Sequence, residues 1–235
     1  MGSCFDLSIL CVTRGEPCVA SLLVGLADAT HSLGAQLVIA YDHPGATDVR
    51  MSLLNMESPD VIIPVHSAGY IESVHDEAVA ATSRGYVLRI DDDESISPAM
   101  LEWLSAGAYR EYKHWKFPRA HLVRGLPDSY YACGPLWTDH QTRLSTREMA
   151  GGRNSIHCGS PFGGGRLAPV VLIHHKFVVK TLKQRHEIVA RYNSVQQGAG
   201  DNFRAFSIPE ECISPLTIRP LSEAFDWALE DACRQ

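Results

Sequence analysis

Two kinds of apolar pattern alternate along the first half of the chain. Short runs rich in valine, isoleucine and leucine, typical of buried strands, cover residues 7–13, 36–43, 60–65 and 86–90. Stretches with helical apolar spacing lie between them, over residues 17–35 and 72–84. This alternation predicts right-handed βαβ units, and therefore an α/β fold with a mainly parallel sheet flanked by helices.

Local signals mark the ends of two helices. Gly34 follows the first helical stretch and fits a C-cap, because glycine readily adopts the left-handed conformation found there. Ser97 followed by Pro98 fits an N-cap and a first helical position. The acidic run 91–93 therefore lies in a loop between the fourth strand and the helix that Pro98 opens.

The second half of the chain is less regular. Residues 115–123 and 168–176 predict strands, a basic helix is expected over 177–193, and a last helix begins at Ser222. Residues 145–166 are rich in glycine and show little periodicity, which predicts a mobile loop able to close over a ligand. An ordinary surface loop explains the same glycines equally well.

Composition limits the classes of function. A net charge of -6 gives no broad basic surface for nucleic acid, and no apolar stretch approaches the roughly 20 residues of a membrane span. The chain starts without a basic segment ahead of its first apolar run, so no signal peptide is expected. Its 7 cysteines include no C-x-x-C pair, which argues against a disulfide framework and a zinc finger and favours a cytoplasmic protein.

Polar side chains collect where the predicted parallel strands end. Thr13, Asp42 and the run 91–93 each follow a strand, and loops at the carboxyl ends of such strands form the ligand crevice of open α/β sheets. We therefore expect these side chains to face one cleft.

The aspartates of this cleft suit a hard divalent cation. Residues two apart on an extended chain point the same way, so Asp91 and Asp93 are expected to converge on one point and to bind Mg²⁺ or Mn²⁺. One imidazole of the neighbouring pair His174 and His175 could complete the set. The alternatives stay open: an acidic entrance to a helix N-terminus, and a histidine hydrogen-bonded within the sheet.

An ordered set of motifs carries a resemblance to a known family. "LSILCVTRGEP", "QLVIAYDH" and "GYVLRIDDDESISPAMLEWL" resemble the first strand, the second-strand aspartate and the D-x-D segment of GT-A fold glycosyltransferases, family 2 type. "TDHQTRL" and "LIHHK" resemble further segments of one bacterial branch. The resemblance spans most of residues 7–190 and implies a nucleotide-diphosphate-sugar donor, a UDP-sugar in the first instance, with Mn²⁺ or Mg²⁺ as cofactor.

The resemblance also implies roles for individual residues. Those expected to contact the nucleotide are Thr13, Arg14, Asp42, Asp91 and Asp92. The expected metal ligands are Asp93, Asp91 and His174, the last because Lys176 then falls on the family's lysine. Asp139 matches an acidic residue that such enzymes could use as general base. Departures occur at His75 and Asp76, where the family has arginine and asparagine, and at Ile156 and Cys158, where the family's V-H-E has valine and glutamate around the matching His157.

The expected function is therefore a metal-dependent glycosyltransferase that moves a sugar to a hydroxyl acceptor with inversion. A glycan or glycolipid precursor is the default acceptor, and a modified nucleic acid base is a lesser one. A single domain over 1–235 is expected, with a nucleotide-sugar half at 1–110 and an acceptor half at 111–235. A nucleotidyltransferase on a related fold and a non-catalytic nucleotide-sugar-binding module remain as alternatives, and the oligomeric state stays open.

Overall fold

The computed structural model describes residues 5–42, 59–152 and 165–232, and it confirms an α/β fold with a central sheet flanked by helices. The strands are β1 (Leu7–Thr13), β2 (Gln36–Asp42), β3 (Val61–Val65), β4 (Tyr86–Asp91), β5 (Glu94–Ile96), β6 (His114–Val123), β7 (Leu126–Tyr131), β8 (Asp139–Thr146), β9 (Arg166–Leu167), β10 (Leu172–His174) and β11 (Ile218–Pro220). The α-helices are α1 (Ala20–Leu33), α2 (His75–Ala80), α3 (Pro98–Ser105), α4 (Arg147–Ala150), α5 (Lys176–Val179), α6 (Leu182–Val195), α7 (Ala199–Asn202), α8 (Pro209–Cys212) and α9 (Leu221–Ala232).

The first half of the sheet is parallel, as the alternation of strands and helices predicts. The strands run in the order β3-β2-β1-β4, and each neighbouring pair is parallel. Every residue of β1 and β2 is buried, because helices cover both faces. The carboxyl ends of β1, β2 and β4 therefore lie along one edge.

The second half of the sheet is mixed. β8 runs antiparallel to β4, and the sheet continues through β6, β7 and β11 with antiparallel pairs. Strand β10 is parallel to β6 and antiparallel to β5, the short strand that follows the acidic turn. His174 is paired with Glu94 and His121 in this arrangement. The second half of the chain therefore places His121 and His174 directly behind the aspartates.

Two apolar cores lie on opposite faces of the parallel strands. Side chains alternate along β1, so that Ile9 packs in one cluster with Leu23 of α1 and Leu104 of α3, whereas Leu10 packs in a second cluster with Ala78 of α2. This alternation explains why a continuous apolar run forms a strand here.

The predicted helix boundaries at Gly34 and Ser97 are confirmed. Gly34 ends α1 with φ 60°, in the left-handed region, and its amide donates to the last turn of the helix. The hydroxyl of Ser97 accepts a hydrogen bond from the amide of Met100 at 3.2 Å, and Pro98 occupies the first helical position. The acidic loop is therefore fixed at both ends by regular structure.

Several elements in the second half differ from their predicted extents. The basic stretch 177–193 forms two helices, because Thr181 and Gln184 form a capping box that starts α6 anew. The strand expected over 168–176 is limited to β10. Of the loop expected over 145–166, the first residues finish β8 and form α4, and 153–164 lie outside the described residues.

Among the helices that the structure describes, none has the length and apolar character that crossing a bilayer requires.

Candidate functional site

A cavity of about 310 Å³ opens at the carboxyl ends of the parallel strands. Its lining contains the side chains that the sequence predicts to bind nucleotide and metal, namely Thr13, Arg14, Asp42, Asp91, Asp92, Asp93 and His174. The second half of the chain closes the other side with residues of β8, α5 and α6. The prediction of one shared cleft is confirmed, and its volume is within the range of small-ligand sites.

One end of the cavity holds a carboxylate oriented by three donors from two residues. Oδ1 of Asp42 accepts a hydrogen bond from the amide of Ser67 at 2.9 Å, and Oδ2 accepts from the Ser67 hydroxyl at 2.5 Å and from Nε of Arg14 at 3.1 Å. Burial alone would raise the pKa of Asp42, but these donors outweigh it and lower the pKa. The pair of Asp42 and Arg14 thus offers acceptor and donor atoms side by side.

Asp92 points to the first strand and toward a lysine. The hydroxyl of Thr13 donates to Oδ2 of Asp92 at 2.9 Å, and Nζ of Lys180 lies 3.9 Å from Oδ1. Burial raises the pKa of Asp92 to about 6, against the lowering effect of Lys180. This carboxylate is therefore the least firmly ionised of the three aspartates.

Asp91 binds an arginine instead of sharing a point with Asp93. Strand β4 ends at Asp91 and the next two residues form a turn, so the alternation of an extended chain stops there. Arg143 of β8 contacts both oxygens of Asp91 and reaches Oε1 of Glu94 at 2.5 Å. Burial would raise the pKa of Asp91, but Arg143 and Arg89 hold it well below its usual range. The expected convergence of Asp91 and Asp93 is thus replaced by separate partners, and a metal role for Asp91 stays a prediction.

Asp93 lies between a histidine and a lysine. Its Oδ1 is 3.1 Å from Nε2 of His174, and its Oδ2 is 3.4 Å from Nζ of Lys180. Burial works against ionisation of Asp93, yet Lys180 and His174 hold its pKa well below the usual range. His175 faces elsewhere, with Nε2 2.8 Å from the hydroxyl of Ser95. Of the two neighbouring histidines, His174 is the one that meets the aspartates.

A chain of polar contacts continues behind His174. Nδ1 of His174 is 2.7 Å from Nδ1 of His121, and Nε2 of His121 is 3.1 Å from Oδ2 of Asp139. Arg119 donates to the same oxygen of Asp139 and reaches Glu94 at 3.0 Å. Burial lowers the pKa of His121 to about 4 and that of His174 well below its usual value, so both rings are neutral near pH 7.

Asp139 is ionised and is held in place by contacts to both of its carboxylate oxygens. Its Oδ2 accepts from Arg119 and adjoins His121, and its Oδ1 accepts from Gln141 at 2.7 Å. Although burial works in the opposite direction, Arg119 and His121 keep its pKa well below the usual range. Within the described part of the chain, the cavity lining includes Gln141 but not Asp139. The role of Asp139 as general base stays a prediction.

The basic residues after β10 separate into three groups. Lys176 and Lys180 line the cavity, Lys183 is exposed, and Arg185 is buried against Glu210. Burial lowers the pKa of Lys176 to about 8, whereas the carboxylates around Lys180 raise its pKa in spite of burial. The two cavity lysines supply positive charge opposite the aspartates.

The donor atoms fit a divalent cation that takes few protein ligands. Oδ1 of Asp93 and Nε2 of His174 lie 3.1 Å apart and both residues line the cavity, so one cation could contact both atoms. Mg²⁺ is characteristically bound through one or two carboxylates and fills its remaining positions with water and substrate phosphate, whereas an imidazole ligand suits a softer ion such as Mn²⁺ better. Among the described residues, no cluster of three or more His, Cys, Asp and Glu forms a metal cage. The pair Asp93 and His174 suits a cation that substrate oxygens complete.

Sequence reasoning missed five residues of this network: Ser67, Glu94, Arg119, His121 and Arg143. Arg143 did carry a signal, since it is the arginine of the "TDHQTRL" segment. Glu94, Arg119 and His121 become visible only once β6, β8 and β10 are paired around the acidic turn, and Ser67 only once the residues after β3 lie beside Asp42.

Comparisons with known proteins find no matching family profile and no matching curated protein. S. aureus TarS 1-349 matches with a TM-score of 0.43 at 12% identity, over 87% of this chain and 73% of that chain. A longer TarS structure matches over 86% of this chain, which spans only 42% of it. A protein of Desulfovibrio desulfuricans G20, described as a nucleotide-diphospho-sugar transferase, matches with a TM-score of 0.41 at 12% identity, over 61% and 64%. Likenesses this distant carry no argument about activity.

Proposed function

We propose that the protein is a metal-dependent glycosyltransferase that moves a sugar from a nucleotide-diphosphate-sugar, a UDP-sugar in the first instance, to a hydroxyl acceptor. The observation that supports this most is a single cavity in which oriented carboxylates, a neutral histidine and two lysines face one another at the carboxyl ends of parallel strands. The carboxylates and the histidine could bind the nucleoside and a cation, and the lysines could bind the diphosphate.

The nucleoside would lie at the end of the cavity that holds Asp42 and Arg14. Uracil and guanine both present a carbonyl acceptor beside a ring N–H donor, which complements a guanidinium next to a carboxylate. Thr13, next to Arg14 in the chain, donates to Asp92 of the aspartate turn, and a ribose would contact this pair. The diphosphate would then face Lys180 and Lys176.

Asp93 and His174 would hold Mn²⁺ or Mg²⁺. Such a cation supplies Lewis-acid stabilisation of the negative charge that develops on the leaving diphosphate. In this proposal Asp91 acts through Arg143, which fixes the turn carrying the metal-binding aspartate. The lysines contribute charge to the same end of the donor.

Transfer with inversion requires a base within reach of the acceptor hydroxyl. Asp139 is the predicted base, and its contacts with Arg119 and His121 would have to loosen before it could take a proton. A glycan or glycolipid precursor stays the predicted acceptor.

Binding of nucleoside diphosphates tests the donor site first. Calorimetric titrations with UDP, GDP, CDP and ADP, with and without Mn²⁺, should give tight binding of one nucleotide only when the metal is present. Asp93→Asn should abolish the metal dependence, and Asp128→Asn, at an exposed position on β7, is the matched control. Absence of binding under every condition would refute the proposal.

Turnover separates the enzyme from its rivals. Incubation with nucleotide-sugars, including the UDP-GlcNAc bound in one TarS structure, should release a nucleoside diphosphate even when water is the only acceptor. A nucleotidyltransferase would instead release pyrophosphate from a nucleoside triphosphate. A binding module would hold the nucleotide and release nothing.

A further inference from the structure

Three contacts join the cavity to the interior through two histidines. They run from Asp93 to His174 at 3.1 Å, from His174 to His121 at 2.7 Å, and from His121 to Asp139 at 3.1 Å. Both rings are buried, with His121 0% and His174 1% exposed. When they are ionised, the two carboxylates at the ends accept hydrogen bonds but have no proton to donate.

The number of protons does not match the number of contacts. Each of the three contacts requires one proton to be a hydrogen bond, but two neutral imidazoles carry only two protons. A third proton would place a charged imidazolium in a fully buried position, which burial opposes. One contact therefore lacks a proton and needs another positive group.

Only one of the three contacts can receive that group from solvent. Asp93 and His174 line the cavity, whereas His121 and Asp139 are not part of its lining within the described residues. A cation held by Asp93 and by Nε2 of His174 would take the place of the missing proton. The other two contacts can then both be ordinary hydrogen bonds.

We propose that His121 and Asp139 are positioning residues that fix the tautomer of His174 and so keep its Nε2 lone pair available for the divalent cation. Nδ1–H of His174 then donates to Nδ1 of His121, and Nε2–H of His121 donates to Asp139. Groups behind a metal-binding histidine commonly orient its ring in this way. The inference rests on the proposed metal site and gives Asp139 a role other than that of base.

Arg119 explains why Asp139 is suited to this role. The guanidinium donates to Asp139 through two nitrogens and keeps the carboxylate ionised and fixed in orientation. The same arginine reaches Glu94, which accepts a hydrogen bond from the amide of Asp91 at 3.0 Å. The chain of contacts from Asp139 through His121 to His174 is therefore fixed to the turn that carries Asp93.

Histidine tautomers can be measured directly by two-bond ¹⁵N–¹H correlation spectra of the ¹⁵N-labelled protein with saturating Mg²⁺. We expect His174 to carry its proton on Nδ1 and His121 on Nε2. A proton on Nε2 of His174 in the Mg²⁺-bound protein would overturn the proposal. This measurement needs no activity and no variant that risks misfolding.

Mn²⁺ affinity without nucleotide, followed by electron paramagnetic resonance of free Mn²⁺, gives the second test. His121→Phe should weaken binding about 10- to 100-fold. His121→Gln should recover most of the loss, because its carbonyl oxygen can accept the proton of His174. His175→Asn, which alters a ring that contacts Ser95 instead, is the matched control and should bind Mn²⁺ like the wild type.

Asp139→Asn separates positioning from base catalysis. A positioning role predicts weaker Mn²⁺ binding, by roughly severalfold because asparagine keeps one acceptor. A role as base alone predicts unchanged Mn²⁺ affinity together with lost turnover, and that result would overturn the inference. If His121→Phe binds Mn²⁺ as the wild type does, the inference fails while the proposed function stands. If the wild type binds no Mn²⁺, the metal site and the inference fail together.

Discussion

The ammonium group of Lys180 lies 3.4 Å from a carboxylate oxygen of Asp93. The same lysine is 3.9 Å from both Asp92 and Glu16, so one cation already serves Asp93, the carboxylate that the proposed metal would use, and two of its neighbours. Lysine and a divalent ion compete electrostatically for such a site. A bound diphosphate would give the lysine a new partner.

Lys180→Gln should therefore change two affinities in opposite directions. Mn²⁺ alone should bind roughly tenfold more tightly, because a neighbouring positive charge is gone. UDP with saturating Mn²⁺ should bind more weakly, because the diphosphate loses a partner. Calorimetry of both titrations is the measurement, and Lys183→Gln, at an exposed lysine 3.9 Å from Glu187, is the control. Weaker Mn²⁺ binding by Lys180→Gln would contradict this prediction.

Arg143→Met should destabilise the fold strongly. The arginine is buried and holds both Asp91 and Glu94, and breaking a buried ion pair from one side costs about 3–5 kcal/mol. Urea denaturation followed by tryptophan fluorescence measures the loss. Arg219→Met removes an exposed pair with Glu223 and should cost less than about 1 kcal/mol. Equal losses in the two variants would refute the argument.

Ser67→Ala should weaken nucleotide binding and leave metal binding intact. Ser67 donates its hydroxyl to Asp42, and without it the carboxylate is oriented by one side-chain donor fewer. We expect UDP affinity to fall roughly three- to tenfold, about the net worth of one typical hydrogen bond, because Ser67 acts on the nucleotide only through the orientation of Asp42. Mn²⁺ affinity should match that of the wild type. Ser32→Ala, on the exposed side of α1, controls for a general effect of the substitution.

Acid should unfold the protein partly through Asp139. Its pKa in the folded protein is held below the unfolded value of about 3.9, so its contribution to stability is complete above that pH and is lost as the pH falls. The free energy of unfolding should therefore decrease on acidification from pH 5 to pH 3. Asp139→Asn should show a shallower decrease over this range. Parallel curves for the two proteins would count against the assignment.

The parallel half of the fold could be predicted from the sequence because its buried strands are apolar and its helices have regular apolar spacing. β1 and β2 are continuous apolar runs, and α1 ends at a glycine. Strand β8 does not follow this apolar pattern. Its residues Asp139, Gln141 and Arg143 share one face and point to charged partners instead of an apolar core. A hydrophobic pattern cannot reveal a strand whose buried face is polar.

The site was predictable as a place, but less so in its internal contacts. The ends of β1, β2 and β4 identified the cleft, and Asp93 and His174 do meet there. The pairing of Asp91 with Asp93 assumed an extended chain, and the turn after Asp91 redirected the first carboxylate to Arg143. Contacts of this kind depend on strands far apart in sequence.

Strand β4 lies at the boundary between the parallel and the antiparallel part of the sheet, and this position limits where the chain can be cut into fragments. Residues Tyr86–Leu88 bond to parallel β1 on one side and to antiparallel β8 on the other. A fragment ending near residue 110 would keep every residue of the acidic turn but would expose the backbone of β4 as an open edge. Open edges of apolar strands invite pairing between molecules. Such a fragment should therefore aggregate on expression, and the N-terminal half of this protein has to be studied with its second half attached.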